Sequence, residues 1–163
     1  MKTPWVLLIL LFCYSIDIIS QEKSFNSTQI IKSNDMSKKT IEEWKKTLND
    51  EEYKVLIEKG TEHPHTGKYN MHFENGVYNC NGCNTPLFNS DQKFKSDCGW
   101  PSFDECIEGA IKYVDDYSLS RYRVEIICAN CKGHLGHIFD DGPTETGKRY
   151  CVNSVSIDFK KKS

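Results

Sequence analysis

Apolar residues are laid out along this chain in three different textures. Behind Lys2, Trp5 to Tyr14 form a nearly continuous apolar run. From Thr40 to Gly60 they fall at helical intervals, with Ile41, Trp44 and Leu48 on one face and then Tyr53, Leu56 and Ile57 on another. Thr40 with Glu43, and Asn49 with Glu52, place a capping box ahead of each group, and Gly60 is positioned to end the second helix. Beyond Gly60 the apolar residues come in short β-prone clusters: Val77-Tyr78, Ala110 to Val114, Tyr122 to Cys128 and Tyr150 to Phe159. Gly, Pro, Asn and Asp separate them. The intervals are too short for repeated parallel crossovers, each of which needs about a dozen residues. The pattern therefore predicts a mainly β fold of antiparallel sheets behind two short helices.

The first run is too short to span a bilayer, which takes roughly 20 residues. With its preceding lysine and the small Ser20 behind it, the segment 1–20 reads as a secretory signal peptide. Residues 21–39 are rich in Ser, Asn, Lys and Gln and read as a linker. They include an N-glycosylation triplet, Asn26-Ser27-Thr28, and Met36, which offers a second start for a cytosolic form. The folded domain is expected over residues 40–160, in the secretory pathway.

Composition adds two points. A net charge of −2 with only three arginines, Arg121, Arg123 and Arg149, lacks the basic stripe of a nucleic-acid binder. An apolar content of 38% is lean, and eight cysteines suggest what supplements it. Cys80-Asn81-Gly82-Cys83 and Cys128-Ala129-Asn130-Cys131 are two CxxC turns, each aiming two thiolates at one point, with Gly82 and Asn130 relaxing the turns. Together they supply the tetrahedral tetrathiolate set of a structural zinc. Two disulfides or a thioredoxin-like redox motif are the rival readings. A CxxC disulfide closes too small a loop to constrain the unfolded chain much, and a redox CxxC occurs once, near a βαβ unit. Zinc is the favoured reading.

Setting aside Cys13 in the signal segment, three cysteines remain: Cys98, Cys106 and Cys151. On a single strand over Tyr150 to Phe159, Cys151 would share a face with Arg149, Asn153, Val155, Ile157 and Phe159. A thiol beside a guanidinium is a candidate reactive cysteine, because positive charge favours the thiolate; a buried inert thiol is the plainer alternative. Cys98 opens Cys98-Gly99-Trp100-Pro101-Ser102-Phe103, a loop that sets a second thiol beside a large aromatic surface. Gly133 to Pro143 packs His134, His137, Asp140 and Asp141 into one glycine-punctuated stretch, a candidate proton source. Cys106 has no assignable role. His63, His65 and His72 are left as structural.

Over Thr40 to Phe159 these motifs closely resemble the B-type methionine sulfoxide reductases, enzymes specific for the R epimer of the sulfoxide. The likeness rests on Gly60-Thr61-Glu62, Thr66-Gly67-Lys68-Tyr69, both CxxC pairs, Cys98 to Phe103, Gly133 to Pro143 and Arg149 to Asn153. It implies two small antiparallel sheets and one structural zinc on Cys80, Cys83, Cys128 and Cys131. It implies Cys151 as nucleophile, Cys98 as resolving cysteine, and Trp100 as the aromatic that receives the substrate methyl group, with Phe139 beside it. His134, His137, Asp141, Arg149 and Asn153 are implied as polar residues of the site. The expected partners are oxidised proteins and a thioredoxin-like dithiol, acting on a monomer that binds neither nucleic acid nor, stably, a membrane.

Overall fold

The computed structural model describes residues 39–162. The signal segment, Asn26, Met36 and nearly all of the linker lie outside the described residues. Both capping boxes form. Thr40 caps α1 (Ile41–Thr47) and Asn49 caps α2 (Asp50–Leu56), each with its reciprocal glutamate. Trp44 on α1 and Val55 and Leu56 on α2 are buried, which fixes the two short helices against the β core. The second helix does not end on the glycine itself. Lys59 takes the left-handed conformation, and the Gly60 N–H closes onto the Lys54 carbonyl at 2.9 Å, one residue further on.

Nine strands follow among the described residues: β1 (Gly76–Cys80), β2 (Pro86–Asn89), β3 (Lys93–Phe94), β4 (Ser102–Phe103), β5 (Ile111–Asp116), β6 (Arg123–Cys128), β7 (His134–Phe139), β8 (Arg149–Val152) and β9 (Ile157–Lys161). They make two antiparallel sheets, a three-stranded one in the order β2-β1-β9 and a six-stranded one in the order β3-β4-β8-β7-β6-β5. Tyr78, Leu87, Phe88 and Ile157 of the small sheet meet Phe103, Ile126, Leu135, Tyr150 and Val152 of the large one in a single buried cluster. Phe88 and Phe103 stack at 4.3 Å, and Tyr78 meets Phe103 edge-on. The mainly β, two-sheet architecture is the one expected.

Two local expectations are corrected. The run Tyr150 to Phe159 is not one strand. It leaves the large sheet after Val152, turns through a short 3-10 segment at Ser154–Ser156, and enters the small sheet as β9. The cause is the buried Glu62 carboxylate, which accepts the N–H groups of Ser154 at 2.6 Å and Val155 at 3.0 Å. Arg149 and Cys151 do share a strand face, but Asn153 and the residues after it do not continue it. In the CxxC turns the left-handed residues are Asn84 and Lys132, each directly after the second cysteine, not Gly82 or Asn130.

Candidate active site and metal centre

Strand register assembles the site on one face of the large sheet. Cys151 on β8 lies between Ser102 on β4 and His137 on β7; His137 in turn faces Glu125 on β6. Two positions along, Arg149 pairs with Phe139. Because side chains alternate with a period of two, Ser102, Cys151, Arg149, His137, Phe139 and Glu125 all project to this face. Gly136 makes the β7–β8 approach possible: at φ +152 its missing side chain would stand 2.0 Å from the Cys151 carbonyl.

A cavity of about 160 Å³ opens on this face, lined by Thr61, Trp100, Arg121, Arg123, Gly136, His137, Phe139, Cys151 and Asn153. The indole N–H of Trp100 donates to the Glu62 carbonyl at 3.3 Å, which orients the ring over the cavity. Asn153 is buried. Its amide accepts from the Glu62 N–H and donates to the Leu135 carbonyl, so the residue holds the cavity wall together. His137 Nε2 lies 2.7 Å from Asp116, and Arg123 holds the same carboxylate oxygen at 2.6 Å. Ser118 and then His137 hold the Asp116 carboxyl well below the usual carboxylate range. Burial pushes the His137 imidazole down against the pull of Asp116, so it is a weak base that releases a proton readily.

Cys98 stands on the far side of Cys151. The two sulfurs are 3.9 Å apart, although the residues are 53 positions apart in sequence. Cys98 opens on its own groove of about 360 Å³, bounded by Phe94, Ser96, Asp141, Pro143 and Arg149. Its loop is fastened by the His65 N–H, which donates to the Gly99 carbonyl at 2.7 Å. The two thiols titrate as a pair. The hydrogen bond with Cys151, helped by Ser102 and Ser96, holds Cys98 down to about 4. Cys151 is pushed up by the same contact and by burial, against the Arg149 guanidinium beside it. Arg149 lies 4.5 Å over the Phe139 ring and is clamped to Asp141 by two bonds of 2.8 Å. It therefore separates the cavity from the groove.

Of the expected site residues, the cavity collects Cys151, Trp100, His137, Phe139 and Asn153. Asp141 belongs to the groove, where its ion pair with Arg149 keeps it ionised. His134 lies outside the cavity lining. It is 3% exposed, bonded through Nδ1 to Glu125 at 2.7 Å, with its ring edge-on to His137 at 5.6 Å. Glu125 also meets Lys59 at 2.8 Å; burial raises this carboxyl, but His134 and Lys59 outweigh it and hold it down. Asp116, Arg121, Arg123 and Glu62 were missed by sequence reasoning. For Glu62 the signal was the Gly60-Thr61-Glu62 motif, which does not reveal its partners; for the other three it was the charge cluster around the β5–β6 turn, which does not reveal which charge meets which histidine.

At the other end of the sheets the four CxxC sulfurs converge. Cys80 and Cys131 are 3.5 Å apart, Cys83 and Cys128 3.6 Å, and all four lie within 4.8 Å of one another. A tetrahedron with Zn–S bonds of about 2.3 Å needs edges of roughly 3.8 Å, so the cluster can hold a metal ion with little adjustment. Soft thiolates in this number fit zinc. None of the seven described cysteines is in a disulfide, and Asn130 and Cys83 both bond Thr85, tying the two turns together.

A SelR domain is matched over residues 48–161. The chain is 53% identical over 125 residues to the peptide methionine sulfoxide reductase MsrB of Pseudomonas savastanoi pv. phaseolicola, covering 76% of this chain and 95% of that protein. It is 50% identical over 123 residues to the MsrB of Methanosarcina barkeri, covering 75% and 87%. The matched residues 48–161 span both sheets, the paired thiols and the cysteine cluster. The chain belongs to the family of B-type methionine sulfoxide reductases.

Proposed function

We propose that this chain reduces the R epimer of methionine sulfoxide in oxidised proteins, with Cys151 as nucleophile and Cys98 as resolving thiol. The observation that carries this reading is the pair of sulfurs 3.9 Å apart with only Cys151 on the aromatic-walled cavity. Cys98 is the more acidic thiol of the resting pair; passage of the Cys151 proton across the 3.9 Å contact to Cys98 puts the charge on Cys151 beside Arg149. The thiolate attacks the sulfoxide sulfur, and the S–O bond breaks as the oxygen takes a proton through His137. The released hydroxide adds to the Cys151 sulfur as its bond to the substrate sulfur breaks, so methionine leaves and Cys151 is left as the sulfenic acid. Cys98 then attacks this sulfur, expelling water and forming the disulfide. A thioredoxin-like dithiol reduces the disulfide by exchange and is itself oxidised. Trp100 and Phe139 supply the apolar wall for the substrate methyl group. The thiolate cluster holds one structural zinc and takes no part in these steps.

The test is single-turnover methionine release beside the steady-state rate, on separated R and S epimers. Cys151→Ser should abolish R-epimer reduction, since an alcohol cannot replace the thiolate. Cys98→Ser should release about one methionine per enzyme, accumulate sulfenic acid and recycle poorly with a protein dithiol. Full activity in Cys151→Ser would overturn the assignment. We also infer, from Lys2, the apolar run and the Asn26 triplet, that the precursor enters the secretory pathway and meets its thiol donor there. An intact Met1 on protein purified from eukaryotic cells would refute that inference.

A further inference from the structure

All three arginines of this chain gather around the Cys151 cavity, although the net charge of the whole molecule is −2. Two of them are engaged. Arg123 holds Asp116 at 2.6 Å, and Arg149 is clamped to Asp141 by two bonds of 2.8 Å. Arg149 is also the guanidinium that acts on Cys151, so the chemistry leaves Arg121 unused. Arg121 is exposed and lines the cavity. Among the described residues no carboxylate pairs with it, and none lines the cavity. Its placement follows from the strand beside it. Arg123 opens β6 opposite Asp116, on the side where Asp116 meets His137, and Arg121, two positions earlier, keeps to that side.

The cavity measures about 160 Å³, well below the roughly 300–1,000 Å³ of a drug-sized ligand site. It admits one side chain. With the sulfoxide sulfur at Cys151 and the methyl group against Trp100, the α-carbon and its substituents stay at the mouth. In an internal residue those substituents are neutral amides. In free methionine sulfoxide, or in a C-terminal residue, one of them is a carboxylate. A guanidinium presents a rigid fork that matches a carboxylate bidentately, and no acidic side chain in the wall opposes its field.

We infer that Arg121 is a specificity-determining residue that binds the α-carboxylate of the sulfoxide residue itself. The protein then takes methionine R-sulfoxide as a free acid, or as a C-terminal residue, in preference to the corresponding amide. This rests on the reading of the Cys151 cavity proposed above. The residue's own carboxylate is the better match than an acidic neighbour in a peptide, because a cavity of one side chain's size fixes only the substituents of that residue. The same positive charge repels an α-ammonium group, so an N-acylated acid is the best-fitting form.

The test compares matched R-epimer substrates: N-acetylmethionine sulfoxide, its primary amide, and an internal sulfoxide peptide followed by either Asp or Asn. In the wild type, kcat/KM on the acid should exceed that on the amide by about fivefold or more, mainly through KM. The ratio should shrink in about 0.5 M salt, which screens an exposed ion pair. In Arg121→Gln it should fall to near unity, and Arg121→Lys should keep part of it. A wild-type ratio near unity would overturn the assignment. So would equal losses on acid and amide in Arg121→Gln, the mark of a merely structural residue. A preference confined to the Asp-containing peptide would also overturn it, by giving the guanidinium to a neighbouring side chain. Wild-type protein inactive on every R-epimer substrate would refute the reaction and the carboxylate site with it, whereas activity at equal rates on acid and amide removes the Arg121 role alone.

Discussion

At the scale of single residues, two sulfurs 3.9 Å apart set each other's proton affinity. Cys98 owes its low proton affinity first to Cys151, and only then to its serine neighbours. Removing the partner thiol should therefore raise Cys98. In Cys151→Ala the iodoacetamide reactivity of Cys98 is predicted to need a higher pH, with the inflection moving upward from about 4. The sign follows from the cause: without the donated S–H, the Cys98 thiolate loses its largest stabilisation and holds its proton to higher pH. An unshifted alkylation profile would show that the two thiols are not coupled. Both cysteines were legible as reactive candidates from the residues around them, because Arg149 is two positions from Cys151 and Trp100 two from Cys98. Their contact was not, since it spans 53 residues of sequence.

At the scale of elements, the β7–β8 pair carries the most. It puts His137 beside Cys151 and Phe139 beside Arg149, and Gly136 is the position that lets the two strands close. A methyl group there would lie 2.0 Å from the Cys151 carbonyl, at a φ that side-chain-bearing residues rarely adopt. Gly136→Ala should cost about 3 kcal/mol or more in chemical denaturation and lower turnover with it. A variant of wild-type stability would mean the strands can part without penalty. The helices and their caps were readable because capping is a contract among four neighbouring residues. The stretch Gly133 to Pro143 was less so. Its glycines and histidines fall outside the β-prone clusters, whereas pairing with β6 and β8 makes its first half a central strand.

For the whole molecule, the cysteine cluster joins the two sheets. Cys80 ends β1 of the small sheet, and Cys128 ends β6 of the large one. A metal at this point clamps one sheet to the other. Structural zinc contributes on the order of 10 kcal/mol to folding in small domains. Cys83→Ser is accordingly predicted to lose about one bound metal per chain and to lower Tm by more than about 10 °C. Metal analysis beside a thermal scan checks both. A metal-free variant melting with the wild type would remove the structural role.

The residues alone determined whatever is decided over a few positions: two capped helices, two CxxC turns, most of the strand segments and the choice of Cys98 and Cys151 as candidate thiols. Tertiary structure decided what depends on partners far along the chain. Glu62 bends the run after Val152 out of one sheet and into the other from 92 and 93 positions away. Asp116 reaches His137 across β6, and it is His137, not the buried His134, that stands at the cavity wall. The physical reason is that caps and turns are short-range hydrogen-bond patterns. A strand's face and its neighbours, by contrast, are set by pairing with other strands, where a slip of one residue would turn every side chain to the opposite side.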